Sequence, residues 1–264
     1  MPIAKSHPLL QAVYLEAGRL IAARAVPTEL VAATRTLYRS FDRKYLTVNS
    51  AGIFPRKDAN QSLVVRDQGT DQNRFSGQSF SGGIKPYGGL YCSLQQSAQI
   101  NELLHYARNS PHIPRSPRTG YPKVDDTLDA KCIVKIRMMS PVLAADISLH
   151  NSAAPAFLDE IGRSPDVQHA LRIAGYSRRS MWDVLNDSTD CSMARGIGLA
   201  VANSSYLQAL QATTARPSDR SPEEAGDNLV FFGADSQAVS SLWVEEAYVF
   251  PVSGPPLVYP VQFA

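Results

Sequence analysis

The sequence predicts a mixed fold of the α+β class, and three observations carry that prediction. Near the start, Leu10, Val13, Tyr14, Ala17, Leu20 and Ile21 recur at three- and four-residue steps and form one apolar helical stripe. After residue 36 the pattern changes to short β-like runs separated by turn residues. A block of helical patterns follows, and the chain then returns to strands. With 264 residues, 44% of them hydrophobic and only 19% charged, the chain can bury a sizeable core. That length suits one large domain, or one domain with an extension.

Taken in order, the first helix is interrupted by Pro27. A proline at a first helical turn predicts a second short helix over 28–34, with Leu30 extending the apolar stripe. These opening helices read as packing or oligomer elements and are too poor in Lys for membrane binding. Strands are expected over 37–41, 62–66, 90–94, 132–138 and 142–148. The Gly- and Ser-rich stretch 69–89 reads as a mobile loop near a site or a flexible insertion. Residues 88–105 read as strand, turn and a helix capped by Ser97. On that helix Ile100, Leu103 and Leu104 would face the core and Glu102 would project from the opposite side. A loop follows in which Pro111, Pro114, Pro117 and Pro122 alternate with Arg108, Arg115 and Arg118. Helices are then expected over 154–161, 166–174, 181–186 and 193–203, and strands over 207–213, 228–232 and 242–250.

The net charge is only +2, but residues 1–125 hold 16 Lys and Arg against 8 Asp and Glu, a balance of +8, and the remainder holds 10 against 16, a balance of −6. A basic half suits a phosphorylated ligand, a nucleic acid or the acidic half of the same fold. Cys92, Cys132 and Cys191 form no C-x-x-C pair, so a zinc site or redox dithiol has no support and the thiols read as buried and inert. No apolar run reaches the length of a membrane span, and the expected setting is soluble and cytoplasmic. Familiar hydrolase and nucleotide-loop signatures are absent, and Gly196-Ile197-Gly198 is too short to be one. Of the five histidines, which form no ligand spacing, only His150 merits attention, because it follows an apolar strand.

A set of short motifs occurs in a fixed order: Leu37-Tyr38-Arg39, Arg74-Phe75-Ser76, Leu90-Tyr91, and Glu102 eleven residues beyond that tyrosine. Downstream come Val142-Leu143-Ala144-Ala145-Asp146-Ile147, Trp182-Asp183, Arg195-Gly196-Ile197-Gly198, Ala212-Thr213-Thr214-Ala215-Arg216 and Asn228-Leu229-Val230-Phe231-Phe232. Over about residues 37–235 this order resembles the RES domain, the toxin of bacterial toxin–antitoxin pairs, which is related to ADP-ribosyltransferases. The resemblance implies an ADP-ribosyltransferase-like split β-sheet core with flanking helices. It also implies an N-terminal helical extension over 1–35 and a RES-like NAD-binding domain over 36–264. Two features depart from the family pattern. Arg74 lies 17 residues before Tyr91 where the family usually has about ten, and the serine position holds Thr214, which keeps the hydroxyl but stiffens the rotamer.

The resemblance implies an enzyme that consumes NAD⁺ as a substrate, with no metal. Residue chemistry suits this. Arg39 and Arg74 could bind a diphosphate through bidentate, charge-assisted hydrogen bonds, and Tyr91 could stack on the cationic nicotinamide ring. Glu102 would stabilise the oxocarbenium-like state formed when the nicotinamide–ribose bond breaks. Thr214 would hydrogen-bond near the nicotinamide or the arginine. The implied catalytic set is therefore Glu102, Arg74 and Thr214, and the implied binding set is Arg39, Tyr91, Arg74 and Asn228. Three readings of function stand side by side. The first is an NAD⁺ glycohydrolase or phosphorylase toxin that depletes cellular NAD⁺. The second is an ADP-ribosyltransferase that modifies a protein target. The third is a non-enzymatic nucleic-acid-binding module using Arg108, Arg115 and Arg118 with Tyr106 and Tyr121, against which the small net charge argues. A toxin would need a protein antitoxin or immunity partner, and the opening helices could contact that partner, form a homodimer or belong to a delivery context.

Overall fold

The computed structural model describes residues 8–42, 46–49, 52–55, 74–75, 89–99, 131–176, 178–187, 190–213, 226–232, 241–249 and 257–260. Eleven strands and five helices are described, and nine of the strands form one sheet.

Helix α1 (Pro8–Ala22) follows from the predicted stripe: Leu9, Val13, Ala17, Leu20 and Ile21 are its buried residues. Strand β1 (Thr28–Val31) occupies the position expected to hold a short helix, and this corrects the sequence reading. Pro27 ends the preceding turn, its carbonyl accepts the Asp146 N–H at 2.9 Å, and β1 pairs antiparallel along β7 (Val142–Asp146). Ladder hydrogen bonds outweighed a proline signal that fits a strand's start as well as a helix's. Leu30 consequently points to solvent instead of extending the stripe.

The remaining strands of the large sheet are β2 (Thr36–Asp42), β5 (Gly89–Ser93), β6 (Lys131–Met138), β8 (Ala209–Thr213), β9 (Asp227–Phe232), β10 (Leu242–Val249) and β11 (Leu257–Pro260). A separate hairpin joins β3 (Leu46–Asn49) to β4 (Gly52–Pro55). The hairpin, β1 and β11 are strands the sequence reading did not anticipate. The strand expected over 62–66, most of the Gly/Ser stretch and the Pro-rich loop lie outside the described residues.

The order across the large sheet is β1-β7-β8-β9-β5-β2-β6-β10-β11. That order forces the sheet to roll. Strands β6 and β7 lie five positions apart, about 24 Å in a flat sheet at ~4.8 Å per strand. Only four residue steps join Met138 to Val142, and a chain spans at most ~3.6 Å per step, about 14 Å in all. Strands β1 and β2, also five positions apart, are joined by only five residue steps from Val31 to Thr36, about 18 Å at most. The two connections touch where the roll closes: Thr34 N–H donates to the Met138 carbonyl at 2.8 Å and Met138 N–H to the Arg35 carbonyl at 3.2 Å. Thr34 takes a left-handed φ of 74° to make that turn. Val31, Met138, Val142 and Val244 accordingly share one apolar cluster inside the roll, although they sit on strands from opposite parts of the order.

Every described pairing in this sheet is antiparallel except β7 with β8, which is parallel. A parallel pair needs a long crossover, and here it carries α2 (Ala154–Arg163), α3 (Pro165–Ile173), α4 (Met181–Leu185) and α5 (Ser192–Ala202). Gly175, at φ 82°, lets α3 stop in a left-handed cap, with the Tyr176 N–H bonded to the Leu171 carbonyl. Ser180 caps α4 by accepting the Asp183 N–H.

These helices and α1 cover the outer face of the roll in a second core. There Leu9, Val13, Ala17 and Ile197 join Ala145, Leu210, Ala212 and Val230. The opening helix therefore faces inward, with its stripe buried in the same core as the helices of the crossover. Glycines allow its close approach to α5, since a Cβ on Gly196 would meet the Leu10 carbonyl oxygen at 2.8 Å.

A Cβ at Gly198 would meet the Phe75 carbonyl oxygen at 2.1 Å, and backbone cannot yield as a side chain can. Gly198→Ala is expected to cost about 2–3 kcal/mol in denaturant unfolding. Gly162→Ala should cost less, because its clash is with the flexible end of Met181.

Candidate active site

The arginine, tyrosine and asparagine motifs come together around β5, where the helix layer meets the ends of β8 and β9. Arg74 lies between α4 and the sheet. Its Nη1 donates to the Thr213 carbonyl at 2.8 Å and its Nη2 to Asn186 Oδ1 at 2.5 Å. Its Nε and Nη2 each lie 3.4 Å from the carbonyl oxygen of Leu185, the last residue of α4. The guanidinium also sits 4.7 Å from the Phe75 ring centroid. Two carbonyls and an amide oxygen thus fix the plane of the guanidinium, and none of the three neutralises its charge.

Phe75 is buried in the helix-side core, and its N–H donates to the Tyr91 hydroxyl at 2.6 Å. Tyr91, on β5, packs half-buried against the same core. The two motifs are thereby bonded to each other. Gly198 completes the arrangement by admitting the Phe75 backbone against α5, so the Gly196-Ile197-Gly198 run serves helix packing.

Arg39 reaches the same strand from the other face. It shares β2 parity with Leu37, whose side chain belongs to the inner core, and its Nη1 donates to the Tyr91 carbonyl at 3.0 Å. The two candidate arginines therefore approach Tyr91 from opposite faces of the sheet.

Asn228 is the register partner of Ser93 across β5 and β9. The Ser93 hydroxyl donates to Asn228 Oδ1 at 2.7 Å, with Gln99 Oε1 3.3 Å away. Next to this pair, the Leu94 N–H donates to the Asp227 carbonyl and the Asp227 N–H to Gln95 Oε1 at 3.0 Å. A Cβ on Gly226 would meet the Ala98 Cβ at 2.4 Å, so the two segments can lie this close only with glycine there. These contacts fasten the helical turn 96–99 to the start of β9. Its first helical residue is 96, which puts Ser97 inside the turn instead of at the cap expected for it. Glu102 and Thr214 lie outside the described residues, as do Arg108, Arg115, Arg118, Tyr106 and Tyr121.

The environment of Cys92 agrees with an inert thiol: the residue is buried, and burial pushes its pKa up to about 12. Among the described residues, no group of three His, Cys, Asp or Glu is placed to hold a metal ion. Among them also, no helix is long and apolar enough to cross a membrane.

Sequence reasoning missed Asn186 and Thr213 as partners of Arg74. Asn186 follows the last residue of a five-residue helix, where a side-chain amide looks like an ordinary helix end. Thr213 acts on Arg74 through its backbone carbonyl, which no residue type announces.

No family model and no curated protein matches the chain. Among solved structures, the chain is similar to one in the crystal structure of the M. tuberculosis MbcT-MbcA toxin-antitoxin complex. The two share 11% sequence identity at a TM-score of 0.44, over 93% of each chain.

Tyr91→Phe keeps the ring and leaves the Phe75 N–H without its acceptor. Equilibrium unfolding should show a loss of about 1–2 kcal/mol. An unchanged midpoint would mean that the hydroxyl does not hold the Arg74-Phe75 segment.

Proposed function

We propose that the protein cleaves the bond between nicotinamide and ribose in NAD⁺. The observation that carries this reading is the hydrogen bond from the Phe75 N–H to the Tyr91 hydroxyl. It joins the arginine motif to the tyrosine motif, which the resemblance to the RES domain assigns to one NAD⁺ site. Arg74, whose guanidinium is oriented by the oxygens of Leu185, Thr213 and Asn186, suits the diphosphate. With its hydroxyl engaged, Tyr91 would contribute the face of its ring to the nicotinamide. Arg39 would act from the inner face by holding the Tyr91 backbone, and Asn228 by orienting Ser93 and the start of β9. The ADP-ribosyltransferase-like core implied by the same resemblance belongs to this proposal.

In the reaction, the electron pair of the nicotinamide–ribose bond leaves with the ring nitrogen, and the ring becomes neutral. The ribose C1′ then carries oxocarbenium character, which the Glu102 carboxylate would stabilise while accepting a hydrogen bond from a ribose hydroxyl. Thr214 would hold the nicotinamide or the arginine through its hydroxyl. Water adding at C1′ gives ADP-ribose and a proton. Phosphate in its place gives the phosphorolysis product, and a side chain of another protein gives ADP-ribosylation. An enzyme that depletes NAD⁺ inside its own cell would need a protein antitoxin to restrain it.

Purified protein incubated with NAD⁺ should release nicotinamide without any added protein. Glu102→Ala should lower the rate by at least about a hundredfold while leaving the fold intact by circular dichroism. Absence of release by the wild-type protein would overturn the reading, and full turnover by Glu102→Ala would overturn the assignment of that residue. Release that appears only when a second protein is added, and that labels it with ADP-ribose, would select the transferase.

A further inference from the structure

Three carboxylates gather on the inner face of the rolled sheet, where β7 and β8 end and β9 begins. Asp146 closes β7 beside its register partner Gln211, Asp227 opens β9 opposite Thr213, and Glu29 on β1 lies opposite Ala144. Strand parity sets all five on the face that carries Ala144, Ala209 and Leu229 of the inner core. Asp146, Ser148, Gln211, Thr213 and Asp227 are each between 0% and 5% exposed. Glu29 and His150 beside them reach solvent.

Among the described residues, the groups that donate to these carboxylates are neutral. Gln211 Nε2 donates to Glu29 Oε2 at 3.0 Å. The Ser148 N–H and Asn151 Nδ2 donate to Asp146 Oδ1 and Oδ2 at 2.9 and 3.0 Å. The Thr213 hydroxyl donates to Asp227 Oδ1 at 2.9 Å and accepts the Leu149 N–H at 2.8 Å.

Among the described residues, none of the three carboxylates forms an ion pair with Lys or Arg. Two buried side-chain oxygens, Gln211 Oε1 and Ser148 Oγ, have no hydrogen-bond partner among the described residues. The Gln211 amide cannot turn over to satisfy its oxygen, because that oxygen would then face the Glu29 carboxylate. Burial raises the Asp227 pKa above its ordinary value. Its bond to Thr213 and the field of His150 pull it back, and the charges of Asp146 and Glu29 push it further up.

Buried carboxylates without an ion pair and orphaned acceptors are costly to a fold, and among the described residues no Lys or Arg donates to this cluster, with His150 beside it acting through its field alone. We propose that it receives the guanidinium of an arginine presented by a protein partner. A guanidinium offers five donors in a planar fork and is weakly hydrated, so it enters a nearly closed site at less cost than an ammonium. A metal ion fits less well, since no three acidic or histidine ligands converge among the described residues. A protein fits better than a small solute, because Leu149, next to His150 in the chain, leaves apolar surface exposed for it to cover. Thr213 also gives its carbonyl to Arg74, so a partner arginine seated here would lie at the strand end that holds the candidate active site.

The test is binding alone and does not depend on NAD⁺ chemistry. Full-chain protein is titrated with N-acetyl-arginine-N-methylamide, and separately with the citrulline analogue, which has the same shape and no charge, while amide NMR shifts are followed. Saturable shifts centred on Asp146, Gln211, Thr213 and Asp227 are expected with the arginine probe, together with at least about tenfold weaker binding of the citrulline probe. Glu29→Gln, at an exposed position, should weaken arginine binding by about tenfold. Asp227→Asn keeps the acceptor for Thr213 and should also weaken binding. Because folding raises the Asp227 pKa, its ionised form destabilises the fold at neutral pH, so this variant should unfold at a higher temperature. Arginine and citrulline probes binding alike, no saturable shifts, or undiminished binding by Glu29→Gln would each overturn the proposal. Shifts at these residues with calcium or magnesium chloride and none with the arginine probe would overturn it in favour of a metal site.

Discussion

Two connections too short for a flat sheet determine the architecture. Met138 must reach Val142, and Val31 must reach Thr36, across five strand positions each. The only solution is a roll closed by the backbone bonds among Thr34, Arg35 and Met138. Once rolled, the sheet has an inner face lined by Leu37, Leu90, Val134, Ile136 and Phe231, and an outer face covered by helices. The parallel pairing of β7 with β8 sends all the crossover helices to that outer face. Everything that happens at the ends of β8 and β9 follows from this geometry. Arg74 is gripped from the helix side, and the carboxylates of Asp146 and Asp227 are held on the inside.

Much of this was legible in the sequence where a single period dominates. The stripe of α1 and the apolar runs of β6, β7, β8 and β10 gave their elements to within a few residues. Strand β1 was misread because Pro27 starts a strand as readily as a helix, and four residues are too few for either period to show. Neither the β3–β4 hairpin nor β11 has a long apolar run. The roll itself is a relation between distant segments, which no local pattern contains.

For the candidate site the sequence offered an order of motifs and not a geometry. That Arg74 and Tyr91 belong together could be read from their sequence, and the bond from the Phe75 N–H to the Tyr91 hydroxyl gives that pairing a physical form. These partners of Arg74 could not be read, because Leu185 and Thr213 accept from it through their backbone carbonyls. Asp227 fell one residue outside the strand expected over 228–232, and Gln211 and Thr213 looked like ordinary polar positions within a strand. Their significance appears only when three strands bring them to one face. The uneven charge of the chain takes on a matching meaning. The basic half supplies Arg39 and Arg74 around Tyr91, and the acidic half supplies Asp146 and Asp227 to a cluster completed by Glu29.

The most direct measurement of the central claim is a crystal structure of the Glu102→Ala protein soaked with NAD⁺. The nucleotide should lodge where β5 meets the helix layer, its diphosphate within hydrogen-bond reach of the Arg74 guanidinium and its nicotinamide against the Tyr91 ring. NAD⁺ bound elsewhere on the molecule, with Arg74 and Tyr91 untouched, would contradict the claim.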